Sequence, residues 1–441
     1  MTRGRLNTAT AITVTSATSL GERIRAARRE RGLSQSALAG EELTKGFISQ
    51  VEAGLVRPSL RSLQLIASRL DKSLDYFLGD EPLTSTKRVA FHQLAAQTAA
   101  ERGDWDAVRT EVNTALEHAR EPRERARLAS LLAGSDIAAG DHEAAFARIT
   151  DALAVLDPAS DALDVAYLLY RRGVAYAQIG QMVAASEAFE ASRRTVEQYE
   201  ISDPRLRARL LVNLGTTYRR LNRTTKALAT YESALTVATH SSELEMAARS
   251  YMGLAASLAD SGEFDAAIAN YQRALSLWER LSDASLELGV LHSLAEAHFE
   301  AGDIAKARLM AERCLARSEA LGDDREAAVA RTELARVAIA DGRFDEALAM
   351  ARSADHALAT MGDDRQRASA LRVMGAALHA RGEHAASDEA YTLAIDLVTR
   401  IDHFADRSQI AAEYAKKLRE RGDLDRAFDM LELARGPVSK R

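Results

Sequence analysis

The sequence predicts an all-α chain, a small N-terminal head of five short helices followed by a long array of about nine helical hairpins. Three observations predict it. Apolar residues make up 47% of the chain while aromatics are only 5% and prolines number six. That composition favours helices packed closely through Ala and Leu, and strands are not expected. Between Leu33 and Ser59, in LSQSALAGEELTKGFISQVEAGLVRPS, capping and apolar residues fall at the spacing of two short helices that cross steeply. From residue 88 onward, Gly recurs at 103, 140, 180, 262, 302, 342, 382 and 422, with Asn222 in the remaining place. A chain of 441 residues is too long for one compact core, so a head and an elongated array are a reasonable division.

The elements of the head follow in order. Residues 1–18 are rich in Thr, Ser and Ala and lack the continuous apolar core of a signal peptide, so they read as a disordered arm. Arg3 and Arg5 within it are expected in a solvated tail. Ser34 caps a short helix whose apolar face is Ala37 and Leu38. Thr44 caps a second, with Ile48 and Val51 inward and Gly54 at its end. The second helix then presents Lys45, Gly46, Ser49 and Gln50 outward. This stretch resembles the DNA-binding domain of the bacterial Xre, or lambda repressor-like, family over Leu20 to Leu78. GERIRAARRERGLSQ resembles its first helix and the start of its second, FISQVEAG its recognition helix, and RPSLRSLQLIASRLDKSLDYFL its fourth and fifth. The resemblance places Lys45, Gly46 and Gln50 on the base-reading face and Ser34, Gln35 and Arg57 at phosphate-contacting positions, and Thr44 and Ser49 complete the candidate DNA-binding residues. It also matches Arg28 and Glu52 to a pair that braces helix 1 against the recognition helix. The turn is about one residue shorter than the family's, and Gly46 brings no side chain to the base-reading face. Charge supports the same partner, double-stranded DNA. Residues 1–80 hold 12 Lys or Arg against 8 Asp or Glu, leaving 46 against 56 for the rest. A basic head on an acidic body confines attraction for phosphate to the head.

The array repeats at forty residues in its later part. Gly and Asn tolerate a left-handed backbone, so the nine sites read as the tight turn inside each hairpin. Seven residues before each turn stands Ala or Gly, from Ala96 to Ala415. Five and twelve residues after it stand small residues again, Val108 being the one bulky exception. Small residues at these offsets let paired helices approach to about 8–10 Å. The fourth unit, LVNLGTTYRRLNRTTKALATYESAL, resembles the tetratricopeptide repeat, with a period longer than the usual 34. The resemblance implies a right-handed superhelix whose concave groove is lined by the first helix of each hairpin. Groove positions are Tyr167, Tyr170 and Arg171; Arg209, Asn213, Thr216 and Arg220; Arg249 and Met252; His292, Glu296 and Phe299; Glu333 and Arg336; and Arg372 and His379. Asn213 falls where such repeats hold a peptide backbone amide, and the arginines suit a carboxylate.

No phosphate-cradling loop, nucleophile elbow or metal pair stands in the sequence, so no catalytic residue, cofactor or metal is expected and the chain reads as a non-enzyme. The ten histidines are scattered and read as surface or groove residues. Cys314 is the single cysteine, so no disulfide framework is expected, which fits a reducing cytoplasm; it takes a small-residue packing position, and Trp105 and Trp278 read as core. Acidic residues beside the turns, as in Gly262-Glu-Phe-Asp, Gly302-Asp-Ile and Gly422-Asp-Leu, read as helix caps. No apolar run is long enough to span a membrane.

The expected layout is an arm at 1–18, a DNA-binding domain at 19–79, a linker at 80–87, a sensor domain at 88–435 and a tail at 436–441. It resembles the RRNPP quorum-sensing receptors, in which an Xre-like head precedes a tetratricopeptide body that binds a short signalling peptide. The resemblance implies a cytoplasmic transcriptional regulator acting as a homodimer. The alternatives are a body that binds a protein or a small metabolite, or an interaction scaffold with a vestigial head.

Overall fold

The computed structural model describes residues 19–40, 42–56, 58–72, 76–77 and 85–435, and among them every regular element is a helix. The arm at 1–18, Arg57, most of the linker, the greater part of the expected fifth head helix and the tail lie outside the described residues. The chain forms two compact units, Met1–Arg171 and Arg172–Arg441.

In the first unit the head comprises α1 (Leu20–Glu30), α2 (Gln35–Ala39), α3 (Lys45–Glu52) and α4 (Leu60–Leu70). Each begins where a hydroxyl accepts an otherwise unpaired backbone N–H. Ser19 serves α1, with Glu22 returning the bond, Ser34 serves α2, Thr44 serves α3 and Ser59 serves α4. Their inward faces make one core of Ile24, Ala27, Leu38, Ala39, Ile48, Val51, Leu63, Ile66 and Leu70, which Phe77 joins from beyond α4. Ala37 is exposed, and Leu38 and Ala39 are the buried residues of α2. Five residues are too few for helical periodicity to fix a face, so Ala39 rather than Ala37 packs inward beside Leu38.

Nine hairpins follow among the described residues. The first three are Ser85–Glu101 with Trp105–His118, Pro122–Ala139 with His142–Val155, and Ala162–Gln178 with Met182–Gln198. The next three are Pro204–Arg220 with Thr224–His240, Leu244–Asp260 with Phe264–Leu281, and Ala284–Glu300 with Ile304–Leu321. The last are Asp324–Ala340 with Phe344–Met361, Asp364–Ala380 with His384–Arg400, and Phe404–Glu420 with Leu424–Arg435. Helix therefore begins at Ser85, inside the stretch assigned to the linker. Phe91, on the first of these helices, packs against the head core, which ties the head to the start of the array.

All nine turn residues have left-handed backbones, Asn222 included at φ 56°. From the third hairpin on, the turns between hairpins are left-handed too, at Glu200, Ser242, Ser282, Gly322, Gly362 and Asp402, whereas the first two connections leave their helices through extended residues, Ala119 and Leu156. From Asn222 to Gly422 a left-handed residue thus recurs every twenty positions, so the two kinds of turn share one geometry. The small residues pack as expected: Ala185, Ala227, Ala267, Ala307 and Ala347 are fully buried. Where Gly stands before the turn, an aromatic ring fills the vacated space. A Cβ on Gly173 would lie 2.5 Å from the Phe189 ring, and one on Gly215 2.9 Å from the Tyr231 ring. Asp303 caps the helix it precedes, but Glu263, one methylene longer, makes no such bond.

Candidate functional site

The head's outward surface is built on α3. The Thr44 hydroxyl accepts the Phe47 N–H at 3.1 Å, fixing where α3 begins, and the Ser34 hydroxyl accepts the Ala37 N–H at 3.0 Å. Lys45, Gly46, Ser49 and Gln50 are exposed, as are Ser34 and Thr44. A Cβ at Gly46 would meet only the Thr44 hydroxyl, at 3.9 Å, so the fold does not require glycine there.

Beneath this face lies a buried charge. Glu52 is 3% exposed and accepts from Arg28 Nε at 2.6 Å and Arg28 Nη2 at 2.9 Å. This bidentate pair joins α1 to α3 as the family resemblance implied. Gln35 donates its amide to the same carboxylate at 2.9 Å, so the amide end of its side chain is turned inward. The Arg25 guanidinium donates to the Glu52 carbonyl at 3.1 Å, closing the α3 C-terminus. Burial opposes ionisation of Glu52, but the hydrogen bonds from Arg28 and Gln35 outweigh it and hold the carboxyl below its ordinary value. At Gly21 a Cβ would sit 2.4 Å from the Val51 carbonyl oxygen, so glycine is what lets α1 approach the end of α3.

The expected groove residues divide into two groups. Those of the earlier hairpins are largely engaged with their neighbours. The Arg171 guanidinium lies 5.5 Å from the Tyr167 ring centre and donates to Ser130, while Tyr170 is half-buried. Arg209 and Asn213 are half-buried and Arg220 is exposed. Thr216 shares a 2.9 Å hydrogen bond with the Tyr231 hydroxyl. Met252 accepts from the Trp278 indole N–H at 3.2 Å, and Arg249 lies over the Trp278 ring and donates to Glu245.

Those of the later hairpins converge. A pocket of about 180 Å³ is lined by His292 and Glu296 of the sixth hairpin, Glu333 and Arg336 of the seventh, and Arg372 of the eighth. The sequence reading missed Thr332, Arg365, Gln366, Ser369, Asp406 and Gln409, which complete the polar wall. Almost all the lining comes from the first helices of four successive hairpins. Its arginines are held between repeats: Arg336 pairs with Glu333 at 2.8 Å and Glu300 at 2.9 Å, Arg365 with Asp406 at 2.8 Å, and Arg372 with Glu413 at 2.7 Å. Phe299 lies under Arg336, 4.5 Å from ring centre to guanidinium. Burial opposes the Arg336 charge, but Glu333, Glu296 and Glu300 keep it firmly protonated. The buried Nδ1 of His292 meets no hydrogen-bond partner among the described residues. Fixed donors and acceptors of both signs suit a ligand with a polar backbone or polar side chains.

His379 pairs instead with Glu420 at 3.2 Å. His298, expected at the surface or groove, is buried, and burial pushes its pKa down. Cys314 is buried, and desolvation pushes its thiol up to about 12, consistent with packing rather than nucleophilic attack. Trp278 is core, whereas Trp105 is only partly buried. No group of His, Cys, Asp or Glu able to hold a metal occurs among the described residues, and none of their helices is long and apolar enough to cross a membrane.

Comparison with known proteins bears on both regions. Residues 24–77 match the Helix-turn-helix family and residues 180–357 the MalT-like TPR region. The immunity repressor protein of Bacillus phage phi105 is 26% identical over 114 residues, 26% of this chain and 79% of the repressor. The fold is similar to that of the apo quorum sensor NprR from B. thuringiensis, with a TM-score of 0.61 and 13% identity, covering 79% of this chain and 98% of that one. It is also similar to the Rap protein complexed with competence and sporulation factor, with a TM-score of 0.60 and 15% identity, covering 79% and 97%. The chain therefore joins a helix-turn-helix domain of Xre type to a tetratricopeptide-like array.

Proposed function

We propose that this chain, an Xre-type helix-turn-helix head on a tetratricopeptide-like body, is a cytoplasmic transcriptional regulator whose body binds a short signalling peptide and thereby controls operator binding. One observation carries the reading: the same chain holds an exposed, braced α3 face bearing Lys45, Ser49 and Gln50 and an inner pocket built by four successive repeats. Lys45 and Gln50 carry direct base readout, and Ser34, Gln35 and Arg57 position the phosphates. Glu296, Glu333, Arg336 and Arg372 hold the peptide. A single head with so thin a reading face binds weakly, so two heads act together on half-sites about 34 Å apart. Similarity of fold to a quorum sensor and to a Rap protein complexed with competence and sporulation factor supports a body that binds a signal.

The body is tested by selecting short peptides from a random library on the full chain. Because Glu296 is an exposed lining residue, Glu296→Ala is expected to weaken the selected peptides about tenfold or more while leaving the melting temperature unchanged. Selection of no peptide, or of the same peptides with equal affinity by the variant, would remove the pocket from the account.

A further inference from the structure

Among the described glycines of the head, all but one have a structural reason. Gly21 has no room for a Cβ, and Gly32, Gly40 and Gly54 have left-handed backbones at φ 66°, 56° and 71°. Gly46 has neither reason. It lies inside α3 without a positive φ, and the nearest atom to an added Cβ is the Thr44 hydroxyl at 3.9 Å, an ordinary contact. That hydroxyl is itself held by the Phe47 N–H at 3.1 Å. Glycine weakens the helix, because it loses more conformational freedom on folding than any other residue and alanine propagates a helix better. The reason for Gly46 therefore lies in what α3 meets outside the chain.

Gly46, Ser49 and Gln50 stand at i, i+3 and i+4, so they share one face of α3, and all three are exposed. The face is recessed at Gly46 by the missing Cβ. We propose that this recess receives the 5-methyl group of a pyrimidine, which makes Gly46 a specificity-determining residue. The inference rests on the reading of α3 as the base-reading helix. In the major groove the thymine methyl is the base-edge group that offers no hydrogen bond, so it is read by shape and apolar contact. Without a Cβ, the α3 backbone itself can come into contact with that methyl, whereas the Cβ of any other residue would fill the same space. Four residues separate Gly46 from Gln50, a rise of about 6 Å along the helix. Base pairs rise about 3.4 Å per step, so the methyl belongs within two base pairs of the one that Gln50 reads. Thymine carries the group in an ordinary duplex, and 5-methylcytosine carries the same one.

Affinity of the full chain is measured on the duplex it enriches from a random pool, with each thymine replaced in turn by deoxyuridine, which removes the methyl and keeps the base pair. One replacement, within two base pairs of the position relaxed by Gln50→Ala, is expected to weaken the unsubstituted chain about fourfold, the effect of one buried methyl. Gly46→Ala is expected to bind the thymine duplex at least about tenfold more weakly, as overpacking a fitted contact does. On the duplex with uracil at that place the penalty should vanish. At the same place 5-methylcytosine should be accepted better than cytosine by the unsubstituted chain and not by Gly46→Ala. Melting of the variant should be no lower, and its α3 amides should stay protected from exchange. Weakened α3 protection would show that the fold needs Gly46 after all and would overturn the proposal. An unsubstituted chain indifferent to every uracil, equal weakening of Gly46→Ala on both duplexes, or equal acceptance of the two cytosines would overturn it too, while leaving the DNA reading in place. Binding to no duplex would remove both.

Discussion

Glu52→Ala is expected to unfold the head while the repeats remain standing. The substitution removes a buried carboxylate that accepts both Arg28 nitrogens and the Gln35 amide. The Arg28 side chain, 12% exposed, is left with the Leu33 carbonyl at 2.8 Å as its remaining acceptor. Breaking one side of a buried pair costs about 3–5 kcal/mol. A unit of about sixty residues is stable by only about 3–9 kcal/mol, so most of its stability is lost. Amide hydrogen exchange across Lys45–Glu52 in the full chain reads the effect: protection should collapse there and persist in the later hairpins. The same bond makes the head acid-sensitive. Because the folded carboxyl ionises below its ordinary value of 4.5, its contribution is complete above that value and fades as pH falls through the lower, folded one. Undiminished α3 protection in the variant would mean that the brace is ornamental and that α3 is held by its core contacts alone.

The second large effect falls at a glycine outside the repeating columns. A Cβ at Gly253 would lie 2.1 Å from Cε1 and 2.2 Å from Cζ of Tyr231. That ring is 2% exposed and also lies close to Gly215, where a Cβ would stand 2.9 Å from it, with its hydroxyl bound to Thr216 at 2.9 Å. The ring has nowhere to retreat, so Gly253→Ala should destabilise the seam between the fourth and fifth hairpins by about 1–3 kcal/mol. Because each repeat touches only its neighbours, the loss should appear as a separate early melting step. In a Tyr231→Ala background the added methyl should cost little. An equal cost with and without the ring would show that the methyl acts by another route.

These cases show what a sequence makes visible. A left-handed turn leaves a chemical mark when Gly or Asn fills it, so the nine turns inside the hairpins were legible. The turns between hairpins reach the same backbone at Glu200, Ser242, Ser282 and Asp402, residues that carry no such mark. Gly215 stood in its column, seven residues before a turn. Gly253 makes room for a ring from the preceding hairpin, a contact that no single-repeat pattern contains. Much of the pocket was legible for the opposite reason: periodicity puts His292, Glu296, Glu333, Arg336 and Arg372 on first helices. It does not say which hairpins bring those faces together, and so Arg365, Asp406 and Gln409 were missed. In the head, the hydroxyl caps Ser34 and Thr44 located the starts of α2 and α3, while the caps at Ser19 and Ser59 went unread. The five-residue α2 was too short to distinguish Ala37 from Ala39.

The central claim is that α3 reads duplex DNA as one of a pair of heads. Selection of the full chain against a pool of random duplexes tests it most directly. The account predicts enrichment of a two-fold-symmetric site with half-sites about one helical turn apart. It also predicts that Gln50→Ala relaxes preference at a base position in each half by about 1–3 kcal/mol. Failure to enrich any site, or enrichment of the same site with unchanged preference by the Gln50→Ala chain, would contradict it.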